Sequence, residues 1–180
     1  YEVFADGRTR PLYNTDNQQI LTNYVYSLFS DKEGNLWIGC LDGPLMMFTA
    51  SGKHQFDISL VQAITSTSDG HIAVSTANGF YLINPHTRQY THHFPASKFP
   101  GQDINVSIQS LLFVSNNQIW LGSDGGGIYI YDIRQRHVQN ISTLQGLPSN
   151  YVYALGTDGM GRVWAATDKG LVYIEPVSYT

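Results

Sequence analysis

Hydrophobic and polar positions alternate along this chain in short runs, and the runs return in one fixed order. Residues 23–48, NYVYSLFSDKEGNLWIGCLDGPLMMF, show that order in full. A β-branched and aromatic run (24–29) enters a polar Asp/Gly/Asn turn. A second apolar run (36–40) follows, then a turn with a glycine, then a third apolar run (45–48). Short alternating runs bounded by turn residues predict strands. No long window places apolar residues at i, i+3, i+4 and i+7, so helix is not expected.

The register is fixed on Trp37. Asp31 lies six residues before it, Gly34 three before, Gly39 two after, Cys40 three after and Gly43 six after. Asp158, Gly161, Trp164, Ala166, Thr167 and Gly170 fill the same slots in the last copy. A third copy keeps Trp120, Gly122, Ser123 and Gly126 but has Val114 and Asn117 in the Asp and first Gly slots. A fourth, more worn copy has Gly70, Ala73, Ser75, Thr76 and Gly79. The Trp-slot positions 37, 73, 120 and 164 are 36, 47 and 44 residues apart, a period typical of propellers and solenoids.

A fourth, more polar run closes each copy, at 53–58, 88–94 and 136–141. Four consecutive antiparallel strands per repeat predict propeller blades. The expected fold is all-β, a β-propeller forming a partial ring of about four blades of four antiparallel strands. The blades divide as 1–14 (the end of one), 15–59, 60–99, 100–142 and 143–180 (incomplete). Residues 1–4 read as a third strand, so the two ends overlap within a blade instead of completing each other. That predicts a fragment of a larger ring, with an apolar blade face left open and a tendency to self-associate.

The copies resemble the two-component-regulator propeller repeat, roughly a V-x-S-I strand, an acidic-Gly turn, a W-I-G-T strand and G-L-x-x-Y-D. NYVYSLFSDKEGNLWIGC, LPSNYVYALGTDGMGRVWAAT and IWLGSDGGGIYIYD carry the likeness. The resemblance implies the periplasmic sensor region of a Bacteroidetes hybrid two-component histidine kinase. Such a region senses breakdown products of polysaccharides and signals across a membrane, so the implied partners are an oligosaccharide ligand, the rest of its own propeller and a membrane-linked kinase.

Composition narrows the rest. With 180 residues, 42% hydrophobic and 13% charged, the chain can bury a sheet-rich core. A net charge of −4 with ten scattered basic residues argues against a nucleic-acid partner. No run is long and apolar enough for a membrane helix, and the first residues lack a signal-peptide pattern, so an export signal would lie outside the sequence. One cysteine permits no internal disulfide and no cysteine metal cluster.

Candidate chemistry is sparse. Cys40 stands where other copies have Thr76, Ser123 and Thr167, a small packed residue with no histidine placed beside it. Trp37, Trp120 and Trp164 offer indole faces to sugars, yet repetition at one slot points to packing between blades. The Asp31 to Trp37 and Asp158 to Trp164 turns resemble the Asp-box of sialidases, in which the Asp caps its own turn. The six arginines, Arg8, Arg10, Arg88, Arg134, Arg136 and Arg162, sit in hairpins facing away from the usual active-site end. Of these, Arg8, Arg88 and Arg136, with Lys53, recur at the start of the outermost strand, where charge guards a sheet edge. The six histidines show no metal-ligand spacing. No catalytic residue, metal site or cofactor is expected.

Propeller geometry gathers the fourth-to-first and second-to-third loops at one end. The ligand-binding candidates there are Asn23, Tyr24, Asp42, Asn105, Asp124, Asn150, Tyr151, Asp168 and Lys169. Tyr, Asn and Asp suit polyols, combining an apolar ring with donors and acceptors for hydroxyls. The repeated Asn-Tyr-Val-Tyr tetrapeptide at 23–26 and 150–153 also reads as part of the fold itself. Three functions remain open: a non-catalytic periplasmic sensor module that binds a glycan-derived ligand, a protein-interaction scaffold, and a glycan-active hydrolase or lyase.

Overall fold

A computed structural model of the protein describes residues 2–10, 20–93, 107–115 and 117–175. β1 (Glu2–Val3) and β2 (Thr9–Arg10) form a two-stranded hairpin. β3 (Val25–Ser30), β4 (Leu36–Cys40), β5 (Leu45–Thr49) and β6 (Gly52–Phe56) make one sheet. β7 (Ala63–Ser66), β8 (Ile72–Thr76), β9 (Gly79–Ile83) and β10 (Tyr90–His93) make a second. β11 (Ile108–Phe113), β12 (Gln118–Ser123), β13 (Ile128–Asp132) and β14 (His137–Ile141) make a third, and β15 (Val152–Thr157), β16 (Val163–Thr167) and β17 (Gly170–Ile174) the last. Every strand pairs antiparallel with its neighbour in sequence, so the sheets are propeller blades. Among the described residues the sheets hold two, four, four, four and three strands, in the antiparallel order the repeat predicts.

The contacts divide the chain into two compact units, Tyr1–Val61 and Gln62–Thr180. In the first, Trp37 is fully buried and stacks on Phe56 with ring centroids 5.4 Å apart. On the opposite face of that sheet, Ile38, Cys40 and Met46 close around Ile20. In the second unit the blades pack in series. Phe80 and Leu82 meet Ile108, Ile119, Leu121, Tyr129 and Tyr131 of the following blade. Trp120 and Ile128 meet Val152, Val163 and Ala165 of the one after. Trp37 and Trp120 thus serve packing, as their slot predicts, while Trp164 is half-buried.

The small residue two places after the Trp slot has a physical reason. A Cβ at Gly39 would collide with Ser27 Oγ and Val61 Cγ1. A Cβ at Gly122 would collide with Ser110 Oγ and come within 2.9 Å of Val152 Cγ1. Each slot therefore receives a β-branched side chain from beyond its own blade. Ser27 and Ser110 sit where the ladder slips register, between Val25 and Ser27 and between Ile108 and Ser110. In the β15–β17 blade the same slip brings Ala154 opposite Ala166. The serine-plus-glycine pair has become two alanines, so the two positions still carry two side-chain heavy atoms between them.

Two expectations change. The basic residues Arg88 and Arg136 do not begin the fourth strands. They occupy the preceding turns in the left-handed region, at φ 61° and 53°, ahead of Tyr90 and His137. In these turns Asn84 Oδ1 accepts the N–H groups of His86 and Thr87, and Asp132 Oδ1 accepts that of Gln135. A 3-10 turn at Thr143–Gln145, closed by a capping box between Ser142 and Gln145, also escapes the sequence reading.

Candidate functional site

The turn after the first strand of a blade is built on its aspartate. Asp31 Oδ1 accepts the N–H groups of Glu33 at 3.0 Å and Asn35 at 2.9 Å, and its Oδ2 accepts the Trp37 indole N–H at 2.9 Å. Asp158 repeats this with Met160 at 2.9 Å, Arg162 at 3.1 Å and the Trp164 indole at 2.8 Å. One carboxylate therefore holds both the turn and the core indole. Burial raises the Asp31 carboxyl, but the bonds from Trp37, Asn35 and Glu33 outweigh it and leave it below the ordinary carboxylate value. Asp158 is held lower still, first by the Trp164 indole and then by Arg162. Where Val114 replaces the aspartate, the Trp120 indole turns to Gln118 Oε1 at 3.2 Å instead. The sequence showed the cap but not the indole bond; the fixed six-residue spacing from Asp to Trp was its signal.

The hydroxyl slot three after Trp closes the second turn. Thr76, Ser123 and Thr167 donate to the carbonyls of Gly79, Gly127 and Gly170 at 3.2, 2.7 and 2.8 Å. Cys40 takes this slot in the first full blade. Its thiol is buried, and burial followed by the Asp42 charge pushes its pKa up, so it rests as the neutral thiol.

The described ligand candidates lie in fourth-to-first and second-to-third strand loops. In the first unit, Asn23, Tyr24 and Asp42 are exposed. Asp42 Oδ1 accepts the Thr22 hydroxyl at 2.6 Å, and the same Thr22 oxygen accepts the Tyr24 N–H at 3.1 Å. In the second unit, Asp124 and Tyr151 form a β-bridge beside Asn150. The Asn150 carbonyl accepts Gly125 at 3.1 Å and Gly127 at 2.8 Å, and its side-chain oxygen accepts the Thr143 N–H at 2.7 Å. Asp124, Asn150 and Tyr151 are thus brought together. Asp168 and Lys169 lie exposed in the β16–β17 turn of the next blade, and Asn105 lies outside the described residues.

Sequence reasoning missed Thr22 and Ser149, buried hydroxyls that stand two residues before each tyrosine and accept its N–H. The signal was present in both copies as [ST]-N-Y. The Asn-Tyr-Val-Tyr tetrapeptide also divides in function: Val152 is buried in the core, whereas Tyr24, Tyr26, Tyr151 and Tyr153 all stand exposed.

A concavity of about 760 Å³ lies at the opposite end of the β7–β10 blade. Asp69, His71, Asn84, Arg88 and Tyr90 line it, with Ile133 from the next blade. The Thr67 hydroxyl, and then His71, hold the Asp69 carboxyl below the ordinary range. Among the described residues no group of three His, Cys, Asp or Glu side chains gathers to hold a metal. No helix among them is long and apolar enough to cross a membrane.

Residues 19–42 and 146–169 match the family model described as "Two component regulator propeller". Those two segments carry two-component-regulator propeller repeats. Both matched segments contain the Asp-to-Trp turn and the exposed tyrosine that precedes the first strand. No curated protein matches the sequence. Among solved structures, the chain is similar to the extracellular domain of BT3049 from B. thetaiotaomicron, named as a hybrid two component system. That likeness has a TM-score of 0.77 at 21% identity, over 92% of this chain and 23% of that one. The extracellular domain of BT4673 from B. thetaiotaomicron, also named as a hybrid two component system, gives 0.69 at 20% identity, over 86% and 24%. PorZ of Porphyromonas gingivalis, a surface component of the type-IX secretion system, gives 0.64 at 12% identity, over 83% and 25%. At these identities the likeness establishes the propeller fold. The chain spans about a quarter of the length of each of these neighbours.

Proposed function

We propose that the chain is a non-catalytic, extracytoplasmic ligand-sensing module of a hybrid two-component signalling protein, lying in the periplasm and passing its signal to a membrane-linked kinase. The observation that carries this reading is the match of two separate repeats to the two-component-regulator propeller. The extracellular location of the BT3049 and BT4673 domains supports the compartment.

The ligand we propose is an oligosaccharide released from a polysaccharide. An exposed tyrosine ring beside carboxylate and amide groups matches the alternation of apolar face and hydroxyls on a sugar. The trio Asp124, Asn150 and Tyr151 supplies that combination in the second unit, and Tyr24 with Asp42 supplies it in the first. Calorimetric titration against plant and host oligosaccharides tests the reading. Saturable heat without product, weakened at least tenfold by Tyr151→Ala, is the expected result. Silence across the panel favours an interaction scaffold, and product formation favours an enzyme.

A further inference from the structure

Each blade that keeps its tryptophan holds the indole in the same cup. One wall is the stretch that runs from six to two residues before the Trp slot. The other is the third-strand residue paired with the slot: Met47 opposite Trp37, Ile130 opposite Trp120 and Tyr173 opposite Trp164. The indole N–H reaches a side-chain oxygen of the first wall every time, on Asp31, Gln118 or Asp158.

The β7–β10 blade keeps the cup without the indole. Ala73 takes the slot, Leu82 is paired with it, and Thr67, Asp69 and His71 form the preceding wall. Leu82, Thr67, Asp69 and His71 all line the concavity of about 760 Å³ at this end of the blade. The equivalent groove of the next blade, lined by Gln118 and Ile130 where Trp120 fills the slot, is smaller, at about 540 Å³. The larger concavity lies within the second unit, between the β7–β8 and β9–β10 turns and away from His93, where β10 ends.

Its polar groups repeat the bonding that an indole meets elsewhere. Asp31 and Asp158 take turn N–H groups on Oδ1 and the indole on Oδ2. Asp69 Oδ1 accepts the Thr67 hydroxyl and the His71 N–H at 3.5 Å, with the His71 ring Nδ1 at 3.2 Å. Its Oδ2 takes none of these. Arg88 lines the same concavity from its left-handed turn, and among the described residues no carboxylate pairs with its guanidinium.

We propose that this concavity binds an indole bearing an anionic arm, with the ring over Leu82 where other blades place a tryptophan, the ring N–H donated to Asp69 and the arm meeting Arg88. The apolar side chains of Leu82 and Ile133 cover the ring faces, and the charged groups fix its direction. The proposal does not rest on the sensor reading, whose candidates in this unit lie at the other end of the blades.

Calorimetric titration of the 180-residue chain with indole-3-acetate is the test. Saturable binding should appear at about 1 mM or tighter, as expected for a ligand of that size. Naphthaleneacetate has nearly the same shape but no N–H, and should bind at least about fivefold more weakly. Asp69→Ala should erase that difference, and Arg88→Gln should weaken both acids by at least about fivefold. Ala73→Trp returns the chain's own indole to the slot and should abolish binding. Since Ala73 is fully buried, a circular dichroism melt checks that variant, and Thr91→Trp on the exposed β10 strand blocks the same concavity should it fail to fold. A wild-type chain that binds neither acid, or binds both equally, would overturn the proposal. So would binding that survives the folded Trp substitution, Arg88→Gln at unchanged affinity, or a preference for indole that persists in Asp69→Ala.

Discussion

Asp31 and Asp158 concentrate two tasks in one carboxylate, and this makes each repeat that carries them acid-sensitive. Both carboxyls titrate below their ordinary value in the folded chain, while the unfolded value is about 3.9. A depressed folded pKa stabilises the fold fully above the unfolded value, and that stability is lost as pH falls through about 4 toward the folded pKa. Asp158→Asn can still accept at its side-chain oxygen but does not titrate. Urea midpoints should therefore show wild type well above the Asn variant at pH 6, with the gap narrowing steadily between about pH 4 and 2. A pH-independent gap would mean that geometry, not charge, holds the turn. The left-handed arginines give a prediction of the opposite sign. A non-glycine residue in that region costs roughly 1–2 kcal/mol, and glycine adds back roughly 0.5–1 kcal/mol of chain entropy. Arg136→Gly should therefore stabilise by about 0.5–1 kcal/mol, and calorimetry should find Tm raised by about 1–3 °C.

At the scale of the element, the joint between blades depends on the volume of three side chains. Gly122→Ala pushes a methyl into Ser110 Oγ and toward Val152 Cγ1, so overpacking should cost roughly 1–3 kcal/mol. Among the described residues the buried Ser110 hydroxyl has no hydrogen-bond partner, so Ser110→Ala should be near neutral or stabilising. The double variant reproduces the Ala154 and Ala166 pair of the last blade. A double-mutant cycle in urea should show a favourable coupling of at least about 0.5 kcal/mol, and strict additivity would refute the volume argument. The sequence revealed the strands because alternation and the Trp slot are local, periodic signals. It revealed the turn aspartates because their spacing to Trp37 and Trp164 is fixed. It could not reveal the partnership of Ser110 with Gly122, since a slip in register appears only once strands pair. Nor could it reveal the turn conformation of Arg88 and Arg136, because the usual marks of that conformation are glycine and asparagine. The candidate ligand residues were legible as loop positions. Their buried supports, Thr22 and Ser149, were visible in the pattern but carried no meaning before the tyrosine N–H groups were placed.

At the scale of the whole molecule, stability in a repeat array is a sum of weak intrinsic terms and neighbour interfaces. The unit Gln62–Thr180 contains three blades and two complete joints, each with its own buried cluster around Phe80 and Trp120. The unit Tyr1–Val61 contains one four-stranded blade, a two-stranded hairpin and the small cluster around Ile20. A single sheet cannot bury both of its faces, and about three repeats are needed before stacking supplies a continuous core. Expressed by itself, 62–180 should unfold in one cooperative thermal transition, whereas 1–61 should show no transition and a coil-like far-ultraviolet spectrum. Circular dichroism melts of the two pieces decide the matter. A cooperative transition in 1–61 would mean that Trp37, Phe56 and their neighbours suffice without a second joint, and the one-dimensional account of this chain's stability would then be wrong.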